Sequence, residues 1–184
     1  CRTFRTEHQA SETVTQTYLV DVTGALPVLA LTVHPSNLWN RYTGIYEQYQ
    51  QKGKEWERDA YVEYFPRDAS PTLALDGRVR INGGYSRSRG KKSFRFYFRP
   101  PAGHDPSNIL TWSSAANERA VILGAREDDF SRDEFFASIF ESAGGMTSAR
   151  MPVFLYLNGQ PWGIYFVRER IDEEYLRRHL APGA

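Results

Sequence analysis

Between Ser93 and Arg99 the chain reads SFRFYFR, with Phe94, Phe96 and Phe98 alternating against Ser93, Arg95, Tyr97 and Arg99. Successive side chains of a strand point to opposite faces, so this run fits a strand with one face in a core and one outside. The same alternation appears upstream in LALDGRVRI, where Val79 and Ile81 interleave with Arg78 and Arg80. NGGYSRSRG lies between the two runs and breaks the pattern. The pair therefore predicts a β-hairpin with a glycine-bearing connection, an apolar inner face and a basic outer one.

The stretch from Gly77 to Phe98 carries Arg78, Arg80, Arg87, Arg89, Lys91, Lys92 and Arg95 and no acid, yet the whole chain has a formal charge of only +1. Its basicity is local, and nothing in the overall balance argues for a nucleic-acid partner. No run is long enough for a membrane span, and the start has no charged-then-apolar signal segment. Cys1 is the only cysteine, which excludes an intrachain disulfide and a cysteine-rich metal site.

Other runs repeat the strand signature. LPVLALTV stops at His34-Pro35, YVEYF stops at Pro66, and AVILGA spans 120–125. VFLYLNGQPWGIYFVRERI holds two alternating runs around Asn158-Gly159, a strong hairpin turn signal. Two segments read as helices. SRDEFFASIFESAGG has Ser131 and Glu134 at capping-box spacing, an apolar stripe of Phe135, Phe136, Ile139 and Phe140, and Gly144-Gly145 as a stop. IDEEYLRRHL closes the chain, with Asp172 placed as an N-cap. The fold expected is α+β: a mainly antiparallel sheet with one or two packed helices. Residues 1–20, polar and Thr-rich and ending in TVTQTYLV, read as the tail of a preceding β-domain or a linker, and 21–184 as the domain proper.

Candidate site residues gather on the basic hairpin. Gly83 and Gly84 let backbone N–H groups approach an anion, Ser86 and Ser88 add hydroxyls, and Arg80 and Arg95 supply charge. Lys92 shares parity with the phenylalanines and must find an anion or reach the rim, whereas Lys91 should face solvent. The same features also fit a solvated face and an ordinary turn. No G-x-x-x-x-G-K-[ST] or G-x-G-x-x-G is present, which argues against a P-loop or a Rossmann site. Glu169, at the end of the last strand run, is a partner for Arg80 or Arg95 or an acceptor for a ligand. Asp128, Asp129 and Asp133 sit near a helix start, where the dipole accounts for them. His8, His34, His104 and His179 show no ligand spacing, so no metal site is expected.

In order, LPVLALTV, TGIY, GKEWERDAYVEYF, GRVRINGGYSRSRGKKSFRFYFR, SRDEFF and LYLNGQPWGIYFVRERID resemble the CotH-like spore-coat protein kinase family over about Leu26 to Asp172. The resemblance implies the N-terminal lobe of an atypical protein-kinase-like fold that binds ATP with Mg²⁺ and phosphorylates protein serines. On it, the Gly83-Gly84 loop would cover the phosphates, Lys92 would be the phosphate-holding lysine, and Ser131 to Ala143 would be the lobe's helix. Glu169 to Asp172 would lie near the lobe connection, where an adenine edge is read. It also implies a secreted or surface protein. Family members continue into a second lobe with Asn/Asp-Trp and Asp-x-Asp-Trp motifs that supply the catalytic and metal-binding acids; residues 1–184 do not contain them, so no kinase activity is expected of this chain alone. The competing reading is a non-catalytic extracellular module, with Trp39, Tyr42, Tyr46 and Trp56 holding a glycan or a protein and the basic hairpin docking polyanions. A third is a structural coat component that kept the fold without the chemistry.

Overall fold

The computed structural model describes residues 3, 6, 14–20, 24–67, 73–99, 120–125 and 132–180. Among these residues seven strands form a closed barrel in the order β1-β2-β3-β4-β5-β7-β6. They are β1 Val28–Val33, β2 Arg58–Phe65, β3 Leu73–Asn82, β4 Ser93–Phe98, β5 Ala120–Ala125, β6 Arg150–Leu157 and β7 Gln160–Glu169. All neighbours are antiparallel except β1 and β6, whose parallel pairing closes the ring. Closure removes the free edges that an open sheet would leave for another chain. The helices are short: α1 Pro35–Trp39, α2 Arg132–Ser142 and α3 Glu173–Leu180. The protein is thus mainly β with minor α, a coarser outcome than the α+β sheet with packed helices that the sequence led us to expect.

Parity fixes what lies inside. Phe94 and Phe96 on β4 are 0% and 1% exposed and meet Val79 and Ile81 of β3, Val121 and Leu123 of β5, and Leu31 and Leu155 in one core. Burying a large apolar side chain this completely contributes roughly 1.5–3 kcal/mol, so two consecutive inward phenylalanines pin the β4 register. The β6–β7 hairpin turns at Asn158 (φ 51°) and Gly159 (φ 77°), as Asn-Gly predicts. Asn158 also ties the turn back to β1, accepting from the Val33 N–H at 2.8 Å.

The outer face of β1 and β2 carries a smaller apolar patch, Val28, Ala30 and Phe65, with Leu19 and Tyr156 against it. The Thr17 backbone N–H and hydroxyl both donate to Glu63, which is 2% exposed. Residues 14–20 therefore lie on the barrel as a strap.

Helix α2 departs from expectation. Phe135, Phe136, Ile139 and Phe140 are 61%, 60%, 49% and 57% exposed, and no α2 residue is buried. The face turned to the barrel is the polar one: Glu134, Ser138 and Glu141, spaced i, i+4 and i+7, all reach Arg150. The double-glycine stop does hold, with the Gly145 N–H donating to Phe140 O at 2.8 Å. Ser131, and with it the capping box, lies outside the described residues, as do Asp128, Asp129, His8 and His104. Asp172 caps α3, its Oδ1 accepting from the Tyr175 N–H at 3.1 Å.

Candidate functional site: an arginine row beside a glycine loop

The register brings the outward side chains of five strands into one line. Arg80 of β3 lies opposite Arg95 of β4, Arg95 opposite Ile122 of β5, Ile122 opposite Arg168 of β7, and Arg168 opposite Arg150 of β6. Four of five positions in this row are arginines, and they form two like-charge pairs across neighbouring strands. Like charges set directly opposite destabilise a sheet, so each pair needs compensation.

The two ends are compensated differently. At the β6–β7 end, Glu134 from α2 sits between the guanidiniums, 2.7 Å from Arg150 Nε and in direct contact with Arg168 Nη2. The side chains of Glu134, Arg150 and Arg168 are only 17%, 15% and 22% exposed. At the β3–β4 end, Arg95 donates to Asn82 Oδ1 (2.9 Å) and to the Tyr97 hydroxyl (3.4 Å), while Arg80 lies 5.3 Å from the Tyr97 ring centroid. Among the described residues no acid pairs with either. Arg95 Nε and Arg168 Nε, one on each side of Ile122, are buried with no hydrogen-bond partner.

The open end adjoins the glycine loop. Asn82, which holds Arg95, precedes Gly83, and the chain passes through one 3-10 turn, Tyr85–Ser88, before β4. Gly83 has φ 113°, and a Cβ there would stand 2.3 Å from Ser86 Oγ, so this position requires glycine. Two cations hold the loop from beneath. Arg87, 8% exposed, donates to the carbonyls of Gly83, Tyr49, Gln51 and Ile81. Burial, together with nearby Arg80 and Arg95, pushes its guanidinium below the usual range. Lys92, 5% exposed, donates to the carbonyls of Arg87 (2.9 Å) and Arg89 (2.7 Å) and lies 4.3 Å from the Tyr49 ring centroid. The parity argument placed Lys92 inward, and inward is where it is.

Two placements differ from expectation. Lys91 does not face solvent: its Nζ donates to Ile164 O at 2.8 Å and lies 4.7 Å from the Tyr165 ring centroid. β4 begins at Ser93, so alternation does not extend back to residue 91. The ammonium fits because Gly163 has no Cβ, which would come within 3.2 Å of it. Glu169 pairs with neither Arg80 nor Arg95. It is 2% exposed, opposite Val121 in the inward set of β7, where its Oε2 accepts from the Ala149 N–H at 2.7 Å and His179 Nε2 stands 3.9 Å from Oε1. One residue of parity puts Arg168, not Glu169, in the row.

The structure thus brings Arg80, Arg95, Gly83, Gly84 and Ser86 to one place, sets Lys92 under them and leaves Glu169 out. Sequence reasoning missed Arg168, Arg150 and Glu134. Arg168 was findable, since in GIYFVRER it shares parity with Ile164 and Phe166 and opposes inward Tyr165 and Val167.

The aromatic residues of the competing reading are divided. Tyr46 is buried and packs on Trp39, Phe94 and Trp162. Arg58 covers Trp56, and Tyr42 is exposed. Among the described residues no group of three His, Cys, Asp or Glu side chains is placed to hold a metal ion, and no helix is long and apolar enough to cross a membrane.

Fold and site together define a small β-barrel domain with a cationic face that has a carboxylate at one end and, among the described residues, neutral partners beside a glycine loop at the other. The family model described as CotH kinase protein matches residues 79–183, more than half of the 184-residue chain, and the chain belongs to that family. The match contains the glycine loop, α2 and every residue of the arginine row. No curated protein matches the sequence.

Proposed function

We propose that this domain is the nucleotide-binding lobe of a CotH-family protein kinase and that it grips the phosphates of MgATP at the open end of the arginine row. The observation that carries the reading is the Arg80–Arg95 pair: two like charges face each other across a sheet beside a glycine loop, and among the described residues only neutral groups partner them. Charge-assisted bonds to phosphate are stronger than the bonds to Asn82 and Tyr97 they would replace. Arg80 and Arg95 would hold the phosphates, with the backbone of Gly83 and Gly84 and the Ser86 hydroxyl above them. Lys92 serves the site by fixing the loop carbonyls. Glu169, buried and engaged elsewhere, has no part in it.

Mg²⁺ bound with the nucleotide supplies charge neutralisation for phosphoryl transfer. A protein serine is the proposed acceptor, and a secreted or surface location is part of the same proposal. Calorimetric titration of MgATP into the wild type and into Arg95→Ala tests the reading. We expect the variant to lose at least about tenfold in affinity, the equivalent of one charge-assisted bond. Equal affinities would refute it.

A further inference from the structure

Helix α2 has an unusual seat. A surface helix ordinarily turns its apolar stripe to the core, but α2 points Phe135, Phe136, Ile139 and Phe140 away from the barrel. Two guanidiniums of the strands hold the polar face of α2: Glu134 meets Arg150 and Arg168, and Ser138 and Glu141 meet Arg150. A helix seated by apolar packing is indifferent to anions. One seated by a carboxylate on two arginines is not, because any anion that engages those arginines competes with the carboxylate.

Arg168 is where the competition falls. Its Nη2 is engaged by Glu134, and its Nε lies over β5, 3.6 Å from where a Cβ of Gly124 would stand, without a partner and buried. An anion can reach that donor only if the guanidinium turns, and turning breaks the bond to Glu134. At the other end, Arg95 must give up only Asn82 and a tyrosine hydroxyl.

We infer that Glu134 is the resident counter-ion of the arginine row, and that a phosphate-bearing ligand recruiting Arg168 displaces it and loosens α2. The inference rests on the row being an anion-binding face, and it adds the regulation of that face: ligand occupancy and the seat of α2 oppose each other. Linkage makes the opposition reciprocal, so whatever factor the ligand adds to α2 opening, removal of the Glu134 charge must add to ligand affinity. Arg150 keeps its bonds to Ser138 and Glu141 throughout, so the first turn of α2 loosens most.

Hydrogen exchange read by mass spectrometry on the full chain, with inorganic pyrophosphate as the probe, tests this. Saturating pyrophosphate should speed exchange of the α2 amides about tenfold, a coupling of ordinary size, and leave β6 and β7 unchanged. Glu134→Gln, close in shape but uncharged, should exchange rapidly in α2 without ligand and bind pyrophosphate about tenfold more tightly. Glu134→Asp keeps the charge and should restore most of the wild-type protection. Unchanged or slowed α2 exchange with pyrophosphate bound, equal or weaker binding by Glu134→Gln, or no pyrophosphate binding at all would overturn the inference. Failure of MgATP to displace bound pyrophosphate would instead sink the nucleotide reading, with the α2 response to pyrophosphate still deciding the coupling.

Discussion

The barrel solves one electrostatic problem twice. Arg150 faces Arg168 and Arg80 faces Arg95 in the same line of the same sheet, but the first pair receives a carboxylate and the second an amide, a hydroxyl and an aromatic ring. A carboxylate in a site this sheltered is expensive to replace, because removing one member of a sheltered ion cluster strands the others. Neutral partners are readily exchanged for something better. The same kind of pair is therefore structural where α2 closes it and, on the proposed reading, receptive where the glycine loop adjoins it.

The largest expected effect comes from taking away the carboxylate. Glu134→Ala leaves Arg168 without its carboxylate and Arg150 with only the exposed Glu141, and should cost about 1–3 kcal/mol in urea unfolding, less than a fully buried pair because the groups retain some solvent. Arg80→Ala removes one of two uncompensated charges and should change stability by no more than about 0.5 kcal/mol. Equal costs for the two variants would erase the distinction between the ends.

A middle-sized effect separates the loop from the row. Gly83→Ala forces a side chain into φ 113° and against Ser86 Oγ, whereas a Cβ at Gly84 meets nothing within 4 Å. The first should lower stability by roughly 1–2 kcal/mol and weaken MgATP binding, and the second should leave stability within about 0.5 kcal/mol. Guanidinium-chloride unfolding of the two single variants checks this, and a larger loss at Gly84 would mean the open end is organised otherwise.

The smallest effect is a control on charge. Burial first, then Glu63 and Asp76, raise the Tyr61 hydroxyl above its ordinary value of 10.0, and burial raises Tyr64. A raised folded-state value means the fold favours the protonated phenol. The stability this confers is whole below about pH 10 and is lost as pH rises through the folded-state values. Thermal unfolding followed between pH 9 and pH 11 should show that decline. A rise in stability over the same interval would reverse the assigned sign.

Much of the barrel could be read from local alternation: β3, β4, β6 and β7, the Asn158-Gly159 turn, and inward Phe94, Phe96 and Lys92 all follow from parity. Closure could not, because the parallel pairing of β1 with β6 joins segments more than a hundred residues apart and depends on shape. The seat of α2 was misread because its apolar stripe has helical spacing, and amphipathicity alone says nothing of ionic anchoring. Arg80 and Arg95 were legible as one face of a hairpin. Their alignment with Arg168 and Arg150 was not, since a row across five strands exists only once every register is set. Glu169 attracted attention as a lone acid near basic residues, but its side chain follows Val167 into the barrel.

The most direct measurement is a crystal structure of the protein with MgATP. The account predicts phosphate oxygens within hydrogen-bond reach of the Arg80 and Arg95 guanidiniums under the Gly83-Gly84 loop. Nucleotide bound elsewhere, with Arg95 still on Asn82 and the Tyr97 hydroxyl, would contradict it.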